Sequence, residues 1–530
     1  MTPDFSVDQH RLWTRLRRNA ADSVRIDTRS LAVFRILVGL LALADLFLRS
    51  RNFSFYYTDD GLMPQSLAME MTPDPAFSFF YLTADPTLIA ALFVLHGLVA
   101  IQLLLGYKTR IATILTFLFV ISLDYHNPAV TSYADVLFRL LLFWAIFLPL
   151  GERWSIDAVH ANREPRGSIA GVASALILFQ IVYMYFHNGY HKLGVDIWES
   201  GEAAAMVMGL DDMTFLLAGT MRQFPTLLQI GGFTWFAMLI LSWLLIVLIG
   251  RKRMLLAGMF MVAHASFAIT VRIGAFAYVA IAGLVLFMQA QVWADGKTVL
   301  DYVGVDYRRL LERGDVLERY AAGVPELTID NETVDRARSA VYSVSLGVVA
   351  LSLVTVLVLL HTPVGGIVDE DDRIQDGIDD TKSIVNADQP AWTVFAPIPR
   401  TTDRYYVFAA ETAAGDRIDV YNERPLTYDR PGDELQLQYD TYRERFFMNS
   451  VRRGTDGDSD GIHTELAEYY CTTWAEEHDV ELTQLNMYMV SEDVTMDTIT
   501  ERDERDTRIS ELYQYSCDDS EPETIQPPER

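Results

Sequence analysis

Nine apolar segments follow one another between Leu31 and His361, and a soluble core has little room for so many in series. They run Leu31–Leu48, Leu88–Leu105, Ile111–Leu123, Val136–Leu150, Ile169–Tyr190, Leu227–Gly250, Met254–Val271, Ala275–Trp293 and Val341–His361. Several reach the length of about 20 residues that a helix needs to cross the hydrocarbon of a bilayer. The third and fourth are short, and each alone would also suit a buried soluble helix. The series predicts a polytopic α-helical membrane bundle of about nine transmembrane helices. Residues 1–29 are polar, so no cleavable signal peptide is expected ahead of the first span.

Charge divides the chain where the apolar series ends. The whole sequence is 51% apolar yet carries a net charge of −27. From residue 362 onward there are 40 Asp and Glu against 15 Lys and Arg, so residues 1–361 are close to neutral. The expected organisation is a cytoplasmic N-terminal segment (1–30), a transmembrane domain (31–293), a cytoplasmic linker (294–340), a last transmembrane helix (341–361) and an acidic extracytoplasmic domain (362–530). Only five lysines stand against 38 arginines. An acidic, lysine-poor surface resembles that of halophilic proteins, in which dense carboxylates stay hydrated while salt screens their repulsion. A tail that binds basic partners is the rival reading. Nucleic acid is excluded as a partner by the sign of the charge, whereas membrane lipids are expected partners.

Orientation follows from the positive-inside bias. Arg11, Arg15, Arg17, Arg18, Arg25 and Arg29 precede the first span. Lys108 and Arg110, then Arg153, Arg163 and Arg166, then Arg251, Lys252 and Arg253 follow the second, fourth and sixth. An Arg-rich stretch, 297–338, follows the eighth. The N-terminus is therefore expected in the cytoplasm of a multi-pass cell-membrane protein, with residues 362–530 outside. Arg272, after the seventh span, is an exception. The Asn331–Thr333 sequon falls on the cytoplasmic side, where no glycan is expected. Glu202–Phe224, interrupted by Asp211 and Asp212, reads as an interfacial or re-entrant helix.

Ionisable groups at bilayer depth are costly and mark candidate sites. Arg35, Asp45, Asp135 and Arg139 suit structural pairing within the bundle. The outer end of the fifth span is different. It carries His187, His191 and Lys192, with Asp196, Trp198 and Gly201 following. His187 and His191 lie one helical turn apart on one face. Lys192 has a bland reading, a lysine snorkelling to the headgroups. Two histidines at this spacing could bind a metal, but no third ligand accompanies them and no metal is expected. His264, in the seventh span, has the bland reading of a satisfied core residue.

A run from Asp27 through Arg35, then Phe55–Gly61, Leu105–Arg110 and Trp154–Asp157, resembles the horizontally transferred transmembrane (HTTM) domain family, which includes the vitamin K-dependent gamma-carboxylases. The stretch Lys192-Leu193, Trp198 and Gly201 is the most specific match, and His264 ahead of Ile273-Gly274 is another. The resemblance covers roughly residues 25–295. It implies that Lys192 is the base that deprotonates a reduced quinone of the vitamin K or menaquinol type. The quinol anion then reacts with O2 to give a strong alkoxide base, which removes a proton from a glutamate gamma-carbon. CO2 captures the carbanion, and the quinone leaves as its epoxide. The resemblance also gives His264 a supporting role, and His187 and His191 complete the candidate catalytic set. Burial disfavours an ammonium, which suits a lysine to act as base near neutral pH. His191 stands where the carboxylases carry a lysine, and Ala134 where they carry a histidine. A protein or peptide glutamate would be the substrate of a quinol- and oxygen-dependent carboxylase or epoxidase. The alternative is a non-enzymatic membrane module, a transporter or an envelope scaffold.

Beyond an acidic linker (Asp369–Asp380), Trp392–Pro397, Arg404–Ala410, Arg417–Tyr421 and Leu485–Val490 read as strands and Glu465–Glu477 as a helix, giving a small α+β domain. Asp456–Gly461 imitates the start of a calcium loop, but Ala467 stands at its twelfth position, so an acidic turn is expected. Cys471 and Cys517 are the only cysteines. Neither sits in a metal or redox spacing, and an outside location favours a disulfide between them.

Overall fold

Asp27 ends a two-residue strand and caps the helix that follows it. Ile26–Asp27 (β1) pairs antiparallel with Ser168–Ile169 (β2). The Asp27 carboxylate accepts from Arg29 N at 2.9 Å, which starts Thr28–Ser50 (α1). A computed structural model describes residues 14, 17–72, 78–304, 318–326, 331–361, 392–454, 461–518 and 520–525. Arg11, Arg15, the acidic linker and most of the calcium-like run lie outside the described residues.

The helical part continues with Pro86–Leu105 (α2), Thr109–His126 (α3), Tyr133–Ala145 (α4), Val172–Tyr190 (α5), Glu202–Met208 (α6), Pro225–Ile240 (α7), Gly250–Phe267 (α8), Phe276–Leu284 (α9), Ala290–Val303 (α10) and Glu332–His361 (α11). Among the described residues α1, α2 and α5 are long and apolar enough to cross a membrane. Phe276–Phe287 together with α10 passes the same test, although the pair is bent by 102°. These helices mark a membrane protein. α9 packs against α1, α4 and α8, at the centre of the bundle.

Two of the expected spans are broken, and side chains of other elements take up backbone groups beside the interruptions. The sixth ends at Ile240 and resumes as Leu244–Val247, and Arg253 takes the carbonyls of Ile246 (2.7 Å) and Leu248 (2.6 Å) where this second piece ends. The eighth stops after Phe287. There Ser30 Oγ donates to Met288 O at 2.6 Å, and Gln289 Oε1 accepts from Gly250 N at 2.7 Å. Glu202–Phe224 is likewise two short helices, α6 and Ala218–Met221, around a turn. At that turn Asp211 N and Asp212 N donate to the Asp403 carboxylate, each at 2.8 Å, and Arg222 lies 2.6 Å from Asp211.

Where α1 begins, three sequence runs close into one knot. Gly106 ends α2 at φ +70°, and a Cβ there would collide with Ser155 and the Arg35 guanidinium. Asp157 accepts from Lys108 N (2.8 Å) and Thr109 N (2.7 Å), which starts α3. Arg35 donates to the carbonyls of Leu150, Arg153 and Trp154. It therefore serves carbonyls rather than an acid, unlike the pairing expected of it. The expected pairing holds for Asp45 and Asp135, both of which contact Arg49.

The C-terminal domain is a five-stranded antiparallel sheet in the order β5-β4-β3-β6-β7. Its strands are Thr402–Thr412 (β3), Arg417–Asp419 (β4), Arg424–Pro425 (β5), Leu482–Asp493 (β6) and Thr507–Ser516 (β7), with helices Tyr442–Gly454 (α12) and Gly461–His478 (α13) between β5 and β6. Cys471 on α13 is bonded to Cys517 just past β7, with Cα atoms 5.7 Å apart, as the sequence predicts. Trp392–Pro397 is not a strand. Trp392 and Phe395 take φ of +47° and +54°, and the carbonyls of Trp392, Val394 and Pro397 are claimed by side chains of the bundle. The domain sits against the bundle through rings as well as charges: Phe55 meets Tyr469 and Tyr56 meets Phe447, with centroids 5.0 and 5.6 Å apart.

Candidate functional site

Lys192 lies two residues beyond the end of α5, so its position is set by that helix. Tyr185, Asn188 and Lys192 recur at helical spacing, and all three line one cavity of about 860 Å³. The lysine is 1% exposed. Its Nζ donates to Asn188 Oδ1 at 2.6 Å and to Val394 O at 2.8 Å, and stands 4.5 Å from the centroid of the Trp198 ring. Trp198 Nε1 donates to Pro397 O at 2.9 Å. The chain from 392 to 397 is thus a strap across the polar end of the cavity. Gly201, at φ +81°, allows the start of α6 to touch α7, since a Cβ there would run into the Gln229 carbonyl.

His264 reaches the same cavity from α8. Its Nε2 is 2.7 Å from Tyr185 Oη, and Trp235, Phe267 and Phe276 surround its ring. Its Nδ1 is buried without a hydrogen-bond partner among the described residues. His187 and His191 are not part of the wall. His187 stacks on Tyr183 with centroids 5.2 Å apart, and the His191 ring lies 4.6 Å from His187. The structure therefore brings Lys192 and His264 to one cavity and leaves the other two histidines beside it. Asn188, Tyr185 and the Val394 carbonyl complete the site without a signature in the sequence. The i, i+3, i+7 spacing of Tyr185, Asn188 and Lys192 is the one signal that could have found the first two.

The remaining walls are almost wholly apolar. Leu227 and Ile230 of α7 and Leu255, Met259 and Val262 of α8 both line the cavity and are exposed, so it opens sideways between these two helices. Tyr185, Lys192 and His264 are its only titratable groups among the described residues. Burial with no carboxylate beside it pulls the Lys192 pKa from the ordinary lysine value down to about 7. Such an amine is available in neutral form near neutral pH and can accept a proton at Nζ.

No curated protein and no solved structure matches the chain. The family model described as the HTTM domain matches residues 24–293, just over half of the sequence. That match takes in the Arg35 knot, the cavity, Lys192 and His264, and it stops short of the C-terminal domain. On that match the chain belongs to the HTTM domain family.

Proposed function

We propose that the chain is a membrane enzyme of carboxylase-like chemistry, in which Lys192 takes the hydroxyl proton of a lipid-soluble quinol of the vitamin K or menaquinol type. The observation that carries this reading is a buried lysine with neutral partners, on the wall of an apolar cavity that opens sideways among apolar helices. The residues present suit such a group. A volume of about 860 Å³ lies within the ordinary range for small-molecule sites, about 300–1,000 Å³. Trp235, Phe267 and Phe276 offer flat apolar walls to a ring, and His264 Nδ1 is a buried polar atom in need of a partner.

A bound quinol would supply the electrons for O2 reduction and, through that reaction, a base strong enough for a carbon acid. The protein's own part is narrower. Lys192 would accept the proton at Nζ, Tyr185 and His264 would offer polar atoms on the cavity wall, and the apolar walls would keep water out. A protein or peptide glutamate and CO2 are the further reactants of this reading. It also takes the nine apolar segments as spans, with the N-terminus in the cytoplasm and the C-terminal domain outside. The strap over Lys192 then faces the extracytoplasmic side.

The test is quinol epoxidation by the full-length protein in lipid, at high salt to suit its acidic, lysine-poor C-terminal domain. Lys192→Ala should abolish O2-dependent turnover while the variant remains folded. Turnover that is unchanged in this variant removes Lys192 as the base, whereas a parent protein without turnover leaves a non-enzymatic membrane module.

A further inference from the structure

Asn188 stands one helical turn before Lys192, and its amide is satisfied in only one orientation. Nδ2 donates to Trp392 O at 2.5 Å and to Val394 O at 3.0 Å, while Oδ1 accepts from Lys192 Nζ at 2.6 Å. Two carbonyls on one side require the NH2 group, and the amine on the other requires the oxygen. A flipped amide would lose all three bonds. The Val394 carbonyl also accepts from Nζ, so lysine, asparagine and strap form a closed triangle. The strap does not hold this shape by its own preference. Trp392 and Phe395 occupy left-handed backbone values that non-glycine residues avoid, a local cost that the surrounding contacts must sustain. Trp392 is itself buried among bundle side chains, stacked on Tyr133.

We propose that Asn188 is the positioning residue for Lys192, its amide oxygen aiming the amine at the cavity while its NH2 group seats the strap of the C-terminal domain over it. The proposal rests on the reading of Lys192 as a base. Its chemistry depends on the neutrality of Asn188. The other titratable groups on the cavity wall are Tyr185 and His264. On the turn that follows, Asp196 and Glu199 are exposed, and Glu199 Oε1 accepts from Gly194 N at 3.0 Å. No carboxylate among the described residues therefore pairs with the amine. An amide oxygen fixes where Nζ sits without fixing its proton. A carboxylate in the same place would hold the ammonium and silence the base.

The experiment follows the pH dependence of reductive methylation at Lys192 in the full-length protein in lipid discs. Peptide mass spectrometry resolves the lysines, with the exposed Lys252 as internal reference. Asn188→Asp should move the Lys192 labelling midpoint upward by about one to three pH units, the usual effect of an opposite charge at contact distance. Asn188→Ser, too short to reach Nζ, should move it downward, and this variant alone suffices if the aspartate does not fold. Midpoints that stay at the wild-type value in the folded variants, with only the melting temperature lowered, would make Asn188 a packing residue and overturn the proposal. The two readings fail separately. Unmoved midpoints with Lys192-dependent turnover intact reject the positioning role alone. Moved midpoints without Lys192-dependent turnover reject the base alone.

Discussion

The Arg443 guanidinium, on α12 of the C-terminal domain, lies 3.0 Å from Asp135 Oδ1 at the start of α4 in the bundle. It also pairs with Asp45 of α1 and donates to the Val130 carbonyl at 3.1 Å. Arg49 joins the same group, 2.8 Å from Asp45, 2.8 Å from Asp124 and 3.1 Å from Asp135. Two buried carboxylates and the half-buried Asp45 thus share two buried guanidiniums, one from each half of the chain. Arg443→Met should destabilise the protein by about 3–5 kcal/mol, the usual cost of stranding buried charge after one partner is removed. Arg443→Lys should recover little of this, because one ammonium cannot reproduce the guanidinium fork on Asp45, Asp135 and Val130 O. Thermal unfolding of the full chain in detergent checks both. A loss below about 1 kcal/mol, typical of surface pairs, would mean that the cluster is not shielded as described.

A second ion network draws on the same division of labour. Asp211 of the bundle meets Arg430, Arg502 and Arg505 of the C-terminal domain at 3.0, 2.9 and 3.4 Å, besides its own neighbour Arg222. Burial opposes the charge on Asp211, but Arg222, Arg502 and Arg430 outweigh it and hold the carboxyl below its usual range. Asp211→Asn should therefore weaken the docking of the domain on the bundle. Limited proteolysis reads this as faster cleavage between the two halves. Equal cleavage rates in variant and parent would count against the network as a clamp.

The helical half is legible in the sequence because lipid-facing helices must be apolar over long runs, and length with composition carries that signal. Lys192, His264 and the two cysteines are legible for a related reason: each is rare in its surroundings, so position alone singles it out. Asn188 is not. An asparagine near a helix end is common, and its partner carbonyls at Trp392 and Val394 lie 204 and 206 residues away. The strap shows the same limit from the other side. Trp392–Pro397 is rich in strand-forming residues, but long-range contacts to its carbonyls override that local preference. The stops at Met288 and after Val247 escape notice because the side chains that take up their carbonyls, Ser30 and Arg253, come from other elements.

Lys192 gives stability a definite dependence on pH. Burial brings its folded pKa to about 7, against about 10.4 for an unfolded lysine. Between these values the unfolded chain binds more protons than the folded one, so stability rises with pH across that window. Below the folded pKa the cost of the buried ammonium is fully present. Lys192→Met removes that cost, and its melting temperature relative to the parent should be highest below pH 7 and should decline toward about pH 10. A difference that does not vary with pH would show a lysine that titrates as in water.

Tyr185→Phe isolates the hydrogen bond to His264. The ring keeps its packing on Phe260, 4.5 Å away between centroids, while His264 loses the partner of Nε2. With Nδ1 already unpartnered, the imidazole would be left without a hydrogen bond to any of the described residues. The expected loss is about 1–3 kcal/mol, the penalty for stranding a buried polar atom. If unfolding of the variant matches that of the parent, the tyrosine contributes only its ring.

The disulfide offers a test of both stability and location. Cys471 lies on α13 and Cys517 just beyond β7, 46 positions apart in the chain, so the bond ties a helix to the edge strand of the sheet. Closing a loop of that length constrains the unfolded chain, and the chain-entropy model gives about 4 kcal/mol for it. Reduction should lower the unfolding temperature, and the double variant Cys471→Ala with Cys517→Ala should match the reduced parent. The Lys192 labelling profile should not follow, because the strap contacts that hold Lys192 involve neither cysteine. Location can be read from the same pair. In the proposed topology the domain lies outside, where a disulfide persists, so a maleimide added to intact cells should label neither cysteine until a reductant is supplied. Labelling of both without reductant would mean free thiols in that domain and would overturn the bond in the native protein. Labelling that requires cell rupture even after treatment with a membrane-impermeant reductant would put the domain on the cytoplasmic side and reverse the topology.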